Sequence, residues 1–410
     1  MAIDDVIVGL DIGTTMVTAV VAEYNENDVL EIIGVGTARS NGLRRGVVIN
    51  IEATLKSVAA AIEAAEQMAG VEVSSVITGI AGAHIEGLNS RGVVAVTGRG
   101  REITRVDLER VIDAAKAVVI PMDREVIHVI PQEFIVDDQG GVKDPIDMIG
   151  VRLEAEVHII TGSVSAAQNL VKCVNRAGFS VDNIVLEALA AARAVLSQDE
   201  KDLGVLVIDL GGGTTDVLVY LDGAPYFTSV VPVAGAQVTS DLSIMLKTPM
   251  EAAERIKRES GCCHPSLIEP DDESVIIPGV GGRPPLSVSR LDICTILQPR
   301  MLEIFKMVRE RIEKKGYLAN IGGGVVLTGG GALLPGAVEL AQDVFQTAAR
   351  IGVPADHGGV VSEYRTPRFA TAVGLVMFGA EAVATRERGG RTKEKPGTVS
   401  GLRKWLKNFF

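Results

Sequence analysis

The chemistry in this chain is concentrated in short runs of Asp, Gly and Thr. Asp11-Ile12-Gly13-Thr14-Thr15 follows an apolar run from Val6 to Leu10 and precedes a β-branched run that reaches Val21. The pattern predicts a buried strand ending on an acid, a turn of small residues and a return strand. The same order recurs from Val205 to Leu221, where Asp209-Leu210-Gly211-Gly212-Gly213-Thr214-Thr215-Asp216 joins two apolar runs. Asp209 stands 198 positions after Asp11. Glycine lets the backbone approach a ligand closely, and concave arrays of N–H groups bind anions. Threonine hydroxyls add donors. An aspartate beside such a loop repels a phosphate unless a cation lies between them. The combination points to a polyphosphate carrying Mg²⁺, with Asp11 and Asp209 as ligands of the ion through water.

A third glycine cluster brackets another apolar run: Gly322-Gly323-Gly324, then Val325 to Leu327, then Gly329-Gly330-Gly331 after Thr328. Open α/β sheets take ligands at such strand ends, and bare backbone there suits a flat adenine. One glycine-rich turn is usually only a tight turn. Three of them, two related by a repeat, read as a nucleotide site. Other phosphate and nucleophile signatures are missing. The chain has no G-x-x-x-x-G-K-[ST], no G-x-G-x-x-G after the first strand and no G-x-S-x-G.

Two similar α/β halves must position these turns, because a repeat on this scale is not a solenoid. The 410 residues are too many for one core of ordinary size, and 47% apolar with 22% charged residues is a folded composition. A net charge of −12 disfavours non-specific nucleic-acid binding, and no nucleic-acid partner is expected. The most apolar stretch, Ala372 to Ala384, is broken by Gly374, Gly379 and Glu381, so no membrane-spanning helix is expected. The acidic start, Met1 to Asp5, does not read as a secretory signal. Cys173, Cys262, Cys263 and Cys294 form no C-x-x-C pair and read as reduced, cytosolic thiols. Cys262-Cys263-His264 lacks a fourth ligand at a standard metal spacing and is read as structural. The histidines, His128 and His158 among them, read as ordinary packed or surface residues.

Charge is uneven. Residues 385–410 carry eight basic and two acidic side chains, net +6, which leaves −18 for the remainder. Residues 385–399 read as a solvated linker. In residues 400–410, Leu402, Trp405, Leu406, Phe409 and Phe410 fall on one face of a helix, while Arg403, Lys404 and Lys407 lie off it. A basic helix with a Trp/Phe/Leu face suits an anionic membrane surface. Further back, a helix is expected to begin at Pro299, with Met301, Ile304, Phe305, Val308 and Ile312 at helical spacing. Asp271 to Pro285 reads as flexible surface loop. Arg105 to Val119 reads as a helix capped by Thr104 within a small α+β module.

The paired hairpins resemble the phosphate-1 and phosphate-2 motifs of the actin, Hsp70 and sugar-kinase superfamily, and the third glycine cluster resembles its adenosine motif. Leu186 to Ala192 resembles the first connecting helix, whose opening acid, matched here by Glu187, orients the attacking water. That assigns catalytic roles to Glu187 and Asp209. Glu254, Lys257 and Arg258 match an E-x-x-K-R stretch that holds the adenosine, and Gly235 joins the nucleotide-binding set. Ala370 to Gly374 resembles the second connecting helix. The chain is most similar to the FtsA family of bacterial cell-division proteins. Asn89-Ser90-Arg91-Gly92-Val93-Val94, Glu102-Ile103-Thr104, His128 to Glu133, Gly150 to Glu154 and His158 to Gly162 resemble the family's inserted subdomain 1C. The match is dense and covers essentially the whole chain.

The resemblance implies a duplicated actin-like ATPase fold around a nucleotide cleft. Subdomain 1A would comprise 1–84, 162–203 and a return helix at 367–384. Subdomain 1C would occupy 85–161, 2A 204–248 and 318–366, and 2B 249–317. It also implies ATP and Mg²⁺ as ligands, self-association into filaments, and a peripheral location on the cytoplasmic face of the membrane at the septum. The tail of the tubulin-like protein FtsZ would bind subdomain 2B, where Arg300 matches a family arginine, and later division proteins would bind 1C. Many family members have Lys where this chain has Met16. A cation aimed at the β and γ phosphates is missing there, which argues for binding with at most weak hydrolysis. The alternative is a type IV pilus assembly ATPase of the same superfamily, which lacks a basic amphipathic end. A small-molecule kinase would need a polar substrate pocket not identifiable here, and an Hsp70-like chaperone a further β-rich domain.

Overall fold

The computed structural model describes residues 6–269, 274–359 and 364–388. Leu402 to Phe410, read above as the membrane-binding face, lie outside the described residues. Two five-stranded sheets carry the fold. The first runs Ser180–Leu186, Ser75–Ile80, Val6–Ile12, Met16–Tyr24, Leu30–Arg39 across its width. The second runs Ala349–Ile351, Val325–Thr328, Val205–Leu210, Thr215–Leu221, Ala224–Val231. Each has its acid-bearing strand at the centre, paired antiparallel to its hairpin partner and parallel to a later strand. The central strands are almost wholly apolar because both faces are covered.

What covers them is helical. Ile51–Ala69 starts where the Asn50 side-chain Oδ1 accepts from the Ala53 N–H, and ends at Gly70 in the left-handed region. Its small buried face allows close approach: a β-carbon on Gly36 would strike the Ala61 carbonyl. Between the lobes, Glu187–Val195 and Ala370–Arg388 cross at another bare-backbone contact, Gly374 against Ala190. Ala370–Arg388 extends four residues into the stretch expected to be linker. Pro367–Ala384 is long and apolar enough to cross a membrane by composition, yet 61% of it is buried. It is a core helix, packed on the opening strand, whose Gly9 lies against the Ala372 carbonyl.

Residues 86–163 form a separate four-stranded antiparallel sheet with the helix Arg105–Ala115 packed on it. That helix stops short of Val119, which is fully exposed. The sheet docks on the second lobe's edge strand. Gln132 donates to the Pro225 carbonyl at 3.0 Å, and the His158 ring meets Thr228 Oγ1 at 2.9 Å.

Two further expectations need correction. The helix expected from Pro299 begins at Arg290 and carries Pro299 inside it. Ser289 caps it by accepting from the Asp292 N–H, and Ile293, Cys294 and Leu297 extend the buried face ahead of the proline. Burying that extra turn outweighs the one ladder bond that Pro299 cannot donate. The segment Asp271 to Pro285 is not all loop. Val275–Ile277 pairs with Leu286–Val288, and Ile277 is 1% exposed against the helical core.

Candidate nucleotide site

The two hairpin turns face one another across the gap between the lobes. A β-carbon on Gly212 would overlap the Thr15 hydroxyl, and one on Gly213 would fall 2.5 Å from Thr14 Oγ1. Only glycine admits this approach. Gly211 N–H donates to the Thr214 carbonyl, closing the second turn, and the Gly46 N–H donates to Thr14 Oγ1, holding the first. The second turn is fixed from outside as well. Gly235 and Ala236 donate to the Gly211 and Gly212 carbonyls at 3.1 and 2.8 Å. They open the helix Gly235–Leu246, so its N-terminus lies at the turn.

Four carboxylates line the floor. Asp11 and Asp209 end the two central strands, Asp216 sits directly opposite Asp209 in the ladder, and Glu187 opens its connecting helix over Gly79. Asp209 is clasped by the Thr371 hydroxyl at 3.1 Å and backed by Gly329, where a β-carbon would collide with it. Burial pushes the Asp209 carboxyl up to about 6, opposed by the Thr371 hydrogen bond. Asp216 rises to about 8 through burial and the neighbouring charges of Asp209 and Asp11. Burial, then Asp209, raises Asp11, while burial and the three aspartates raise Glu187 well above the usual range. Asp216 Oδ1 is buried without any partner. Stranded, mutually repelling acids in a cradle that any β-carbon would fill suit a cation and an anion together. Among the described residues no three His, Cys, Asp or Glu side chains are grouped to hold a metal ion directly.

The adenosine-side residues converge less tightly. Lys257 Nζ lies 2.7 Å from Glu254, 2.9 Å from Thr239 Oγ1 and 3.2 Å from the Gly235 carbonyl, bracing the helix that meets the second turn. Arg258 is exposed on the same helix. Gly329 at φ 80° donates to the Pro367 carbonyl at 3.1 Å, and Gly331 lies over Leu210. Gly330 is exposed at the cleft. Arg300 stands apart from the cleft and is not a free cation. It pairs with Asp241 at 2.6 Å and with Glu303.

With this geometry in place, comparison with known proteins is decisive. A chain from Borreliella burgdorferi, "Cell division protein FtsA", is 50% identical over 410 residues, covering 99% of both chains. The chain belongs to the FtsA family. The relative of that name from Escherichia coli K12 is 39% identical over 410 residues, covering 98% of this chain and 96% of its own. The family model "Cell division protein FtsA" matches residues 206–374, and "SHS2 domain inserted in FTSA" matches 82–161. Among solved structures, a PilM–PilN type IV pilus biogenesis complex is similar at TM-score 0.65 and 17% identity, covering 91% of this chain and 98% of that one. MreB5 of Spiroplasma citri bound to ADP gives 0.56 at 16% identity, covering 95% and 100%. These distant likenesses show the actin-like fold alone. The FtsA relatives decide for a cell-division protein over the pilus alternative.

Sequence reasoning passed over several residues at this FtsA-family site. Asp216 lies inside the quoted motif, and counting the hairpin register from Asp209 would have found it. Thr371 opens the recognised second connecting helix. His128, read as ordinary, is buried, and burial pushes its imidazole down to about 4. Its Nε2 accepts from the Leu186 N–H at 2.9 Å, immediately before Glu187. Nothing in the local sequence signals that contact between the inserted sheet and the Glu187 helix.

Proposed function

We propose that this FtsA-family protein binds ATP with Mg²⁺ in the cleft, polymerises on the inner face of the cytoplasmic membrane and anchors FtsZ filaments there. The observation that carries the nucleotide reading is the meeting of the two glycine-threonine turns above four buried acids. Gly13, Thr14, Thr15 and Gly211 to Thr215 would cradle the phosphates. Asp11 and Asp209 would hold the ion through water, and Gly235, Glu254, Lys257, Arg258 and Gly329 to Gly331 would border the nucleoside. Mg²⁺ supplies charge neutralisation of the phosphates when bound. Glu187, whose carboxyl is raised well above the usual range by burial and the three neighbouring aspartates, would serve as the base toward an attacking water.

The segment 85–161 would act as a filament and partner module, and its docking through His128 and His158 would report lobe position to that surface. The tail from Leu402 to Phe410 would supply a weak membrane anchor that polymerisation multiplies. Arg300 would meet an acidic FtsZ tail only by exchanging Asp241 or Glu303 for the incoming carboxylate.

Co-sedimentation with anionic vesicles tests the reading, using the full chain and one ending at Val399, with and without ATP and Mg²⁺. Pelleting that requires residues 400–410 and is strengthened by nucleotide supports it. Pelleting indifferent to nucleotide removes the coupling of ATP to assembly. Two soluble chains remove the membrane anchor.

A further inference from the structure

Arg368 is a half-buried guanidinium at the cleft with no matching acid. It belongs to the short turn Pro367–Phe369, which leads directly into the second connecting helix, Ala370–Arg388. Its neighbour Pro367 accepts from Gly329 N–H and Thr328 Oγ1, so the turn is pinned to the strand end. The Arg368 side chain passes Gly330, with its Cγ 3.8 Å from where a β-carbon there would stand. Its Nη2 reaches Met16 Sδ at 3.2 Å, at the exit of the first hairpin turn. A thioether is a weak acceptor, poorly matched to a fork of five N–H donors. Among the described residues no carboxylate lies within ion-pair distance of Arg368. Burial, and then the charge of Arg258, both disfavour its protonated form. Protein folds seldom leave a guanidinium partly desolvated beside a second cation unless an anion comes to it.

We propose that Arg368 is a phosphate-binding residue: its guanidinium leaves Met16 and donates to the phosphate chain of the bound nucleotide. The cation absent from position 16 is thereby supplied by the turn that opens the second connecting helix and is pinned beside the third glycine cluster. This rests on the nucleotide reading of the cleft. The side chain spans from the third glycine cluster to the first hairpin, so it is placed to sense the phosphates rather than the base. Arginine suits this role because its planar fork can engage two phosphate oxygens at once.

The test is calorimetric titration of the full chain with ATP, ADP and adenosine. Arg368→Met is expected to weaken ATP about 10- to 100-fold, the span of a charge-assisted hydrogen bond, while adenosine changes less than about twofold. Adding Met16→Lys to Arg368→Met is expected to recover at least about half of the lost affinity on a logarithmic scale, because the new ammonium ends where Nη2 now lies. Equal losses for ATP and adenosine would make Arg368 structural and overturn the proposal, as would unchanged ATP binding. If the Met variant fails to fold, Arg368→Lys decides: a several-fold loss confined to ATP and ADP supports the role, and wild-type affinity overturns it. A wild-type chain that binds adenosine but gains nothing from phosphates overturns this proposal and leaves the cleft a nucleoside site. One that binds none of the three ligands removes the nucleotide reading as well.

Discussion

The two hairpins at the centre of the lobes are repeats of one another, yet they are not chemically equivalent. In the first, Asp11 pairs across the ladder with Thr18; in the second, Asp209 pairs with Asp216. Both cross-strand partners are buried with an unpaired oxygen, Thr18 Oγ1 and Asp216 Oδ1. A lone hydroxyl costs little to bury, whereas a second carboxyl beside Asp209 costs much more and stays protonated. The first turn relies on side chains, Thr14 and Thr15, while the second exposes glycine backbone to them. Duplication thus supplied the frame, and divergence made one lobe the source of hydroxyl donors and the other the source of acid and bare N–H groups.

The largest expected effect comes from breaking the seat between the turns. Gly212→Val places a branched side chain on Thr15 and should weaken ATP binding more than about 100-fold by calorimetry. Thr15→Ala, which removes only the opposing hydroxyl, should cost about tenfold or less. Equal effects would mean that the turns do not share one ligand.

The acid asymmetry predicts a pH dependence. Carboxyls raised in the folded state bind protons that the unfolded chain has released, so the ligand-free protein should lose stability as pH rises. The window follows from Asp209 near 6 and Asp216 near 8, so melting temperature should fall between about pH 5 and 8. Asp216→Asn should flatten that slope and stabilise the ligand-free protein at pH 8 by about 1–3 kcal/mol, read by denaturant unfolding. Asp11→Asn should flatten it less, because the charge of Asp209 alone adds to burial at Asp11, whereas Asp209 and Asp11 both act on Asp216. A slope of the opposite sign would remove the assignment of Asp209 and Asp216 as carboxyls raised by burial.

A smaller effect is expected where the inserted sheet holds the Glu187 helix. His128→Ala leaves the Leu186 N–H unsatisfied and a gap behind it, which should cost about 2–4 kcal/mol of stability by denaturant unfolding. His128→Gln, which can still present an acceptor, should recover part of this. The smallest change concerns Arg300. Asp241→Asn breaks a partly exposed pair, so stability should move by less than about 1 kcal/mol. The guanidinium, left with Glu303 as its charged partner, should bind an acidic peptide several-fold more tightly, measured by fluorescence anisotropy.

Much of the site was legible because its residues are local in sequence. A strand, an acid and a glycine-threonine turn occupy consecutive positions, and the copy 198 residues on declares a second lobe. The Glu187 helix and the return helix followed from resemblance, and the acid of the former does reach the floor of the cleft. The start of the long helix at Arg290 was not legible, since Pro299 is a local stop signal that tertiary burial overrides. The short strand at Val275–Ile277 was hidden in a glycine- and proline-rich stretch. Its pairing with Leu286–Val288 and the burial of Ile277 in the second lobe's core hold it in place.

The sequence alone determined the duplicated lobes, the glycine-threonine turns at their centres and the family, because each rests on short contiguous patterns. Only the tertiary structure decided that His128 braces the Glu187 helix, that Arg300 is already paired with Asp241 and that Arg368 reaches Met16. Each of these pairings joins residues more than fifty positions apart. Burial and charge at such distances arise from packing, and no local pattern of residue types encodes them.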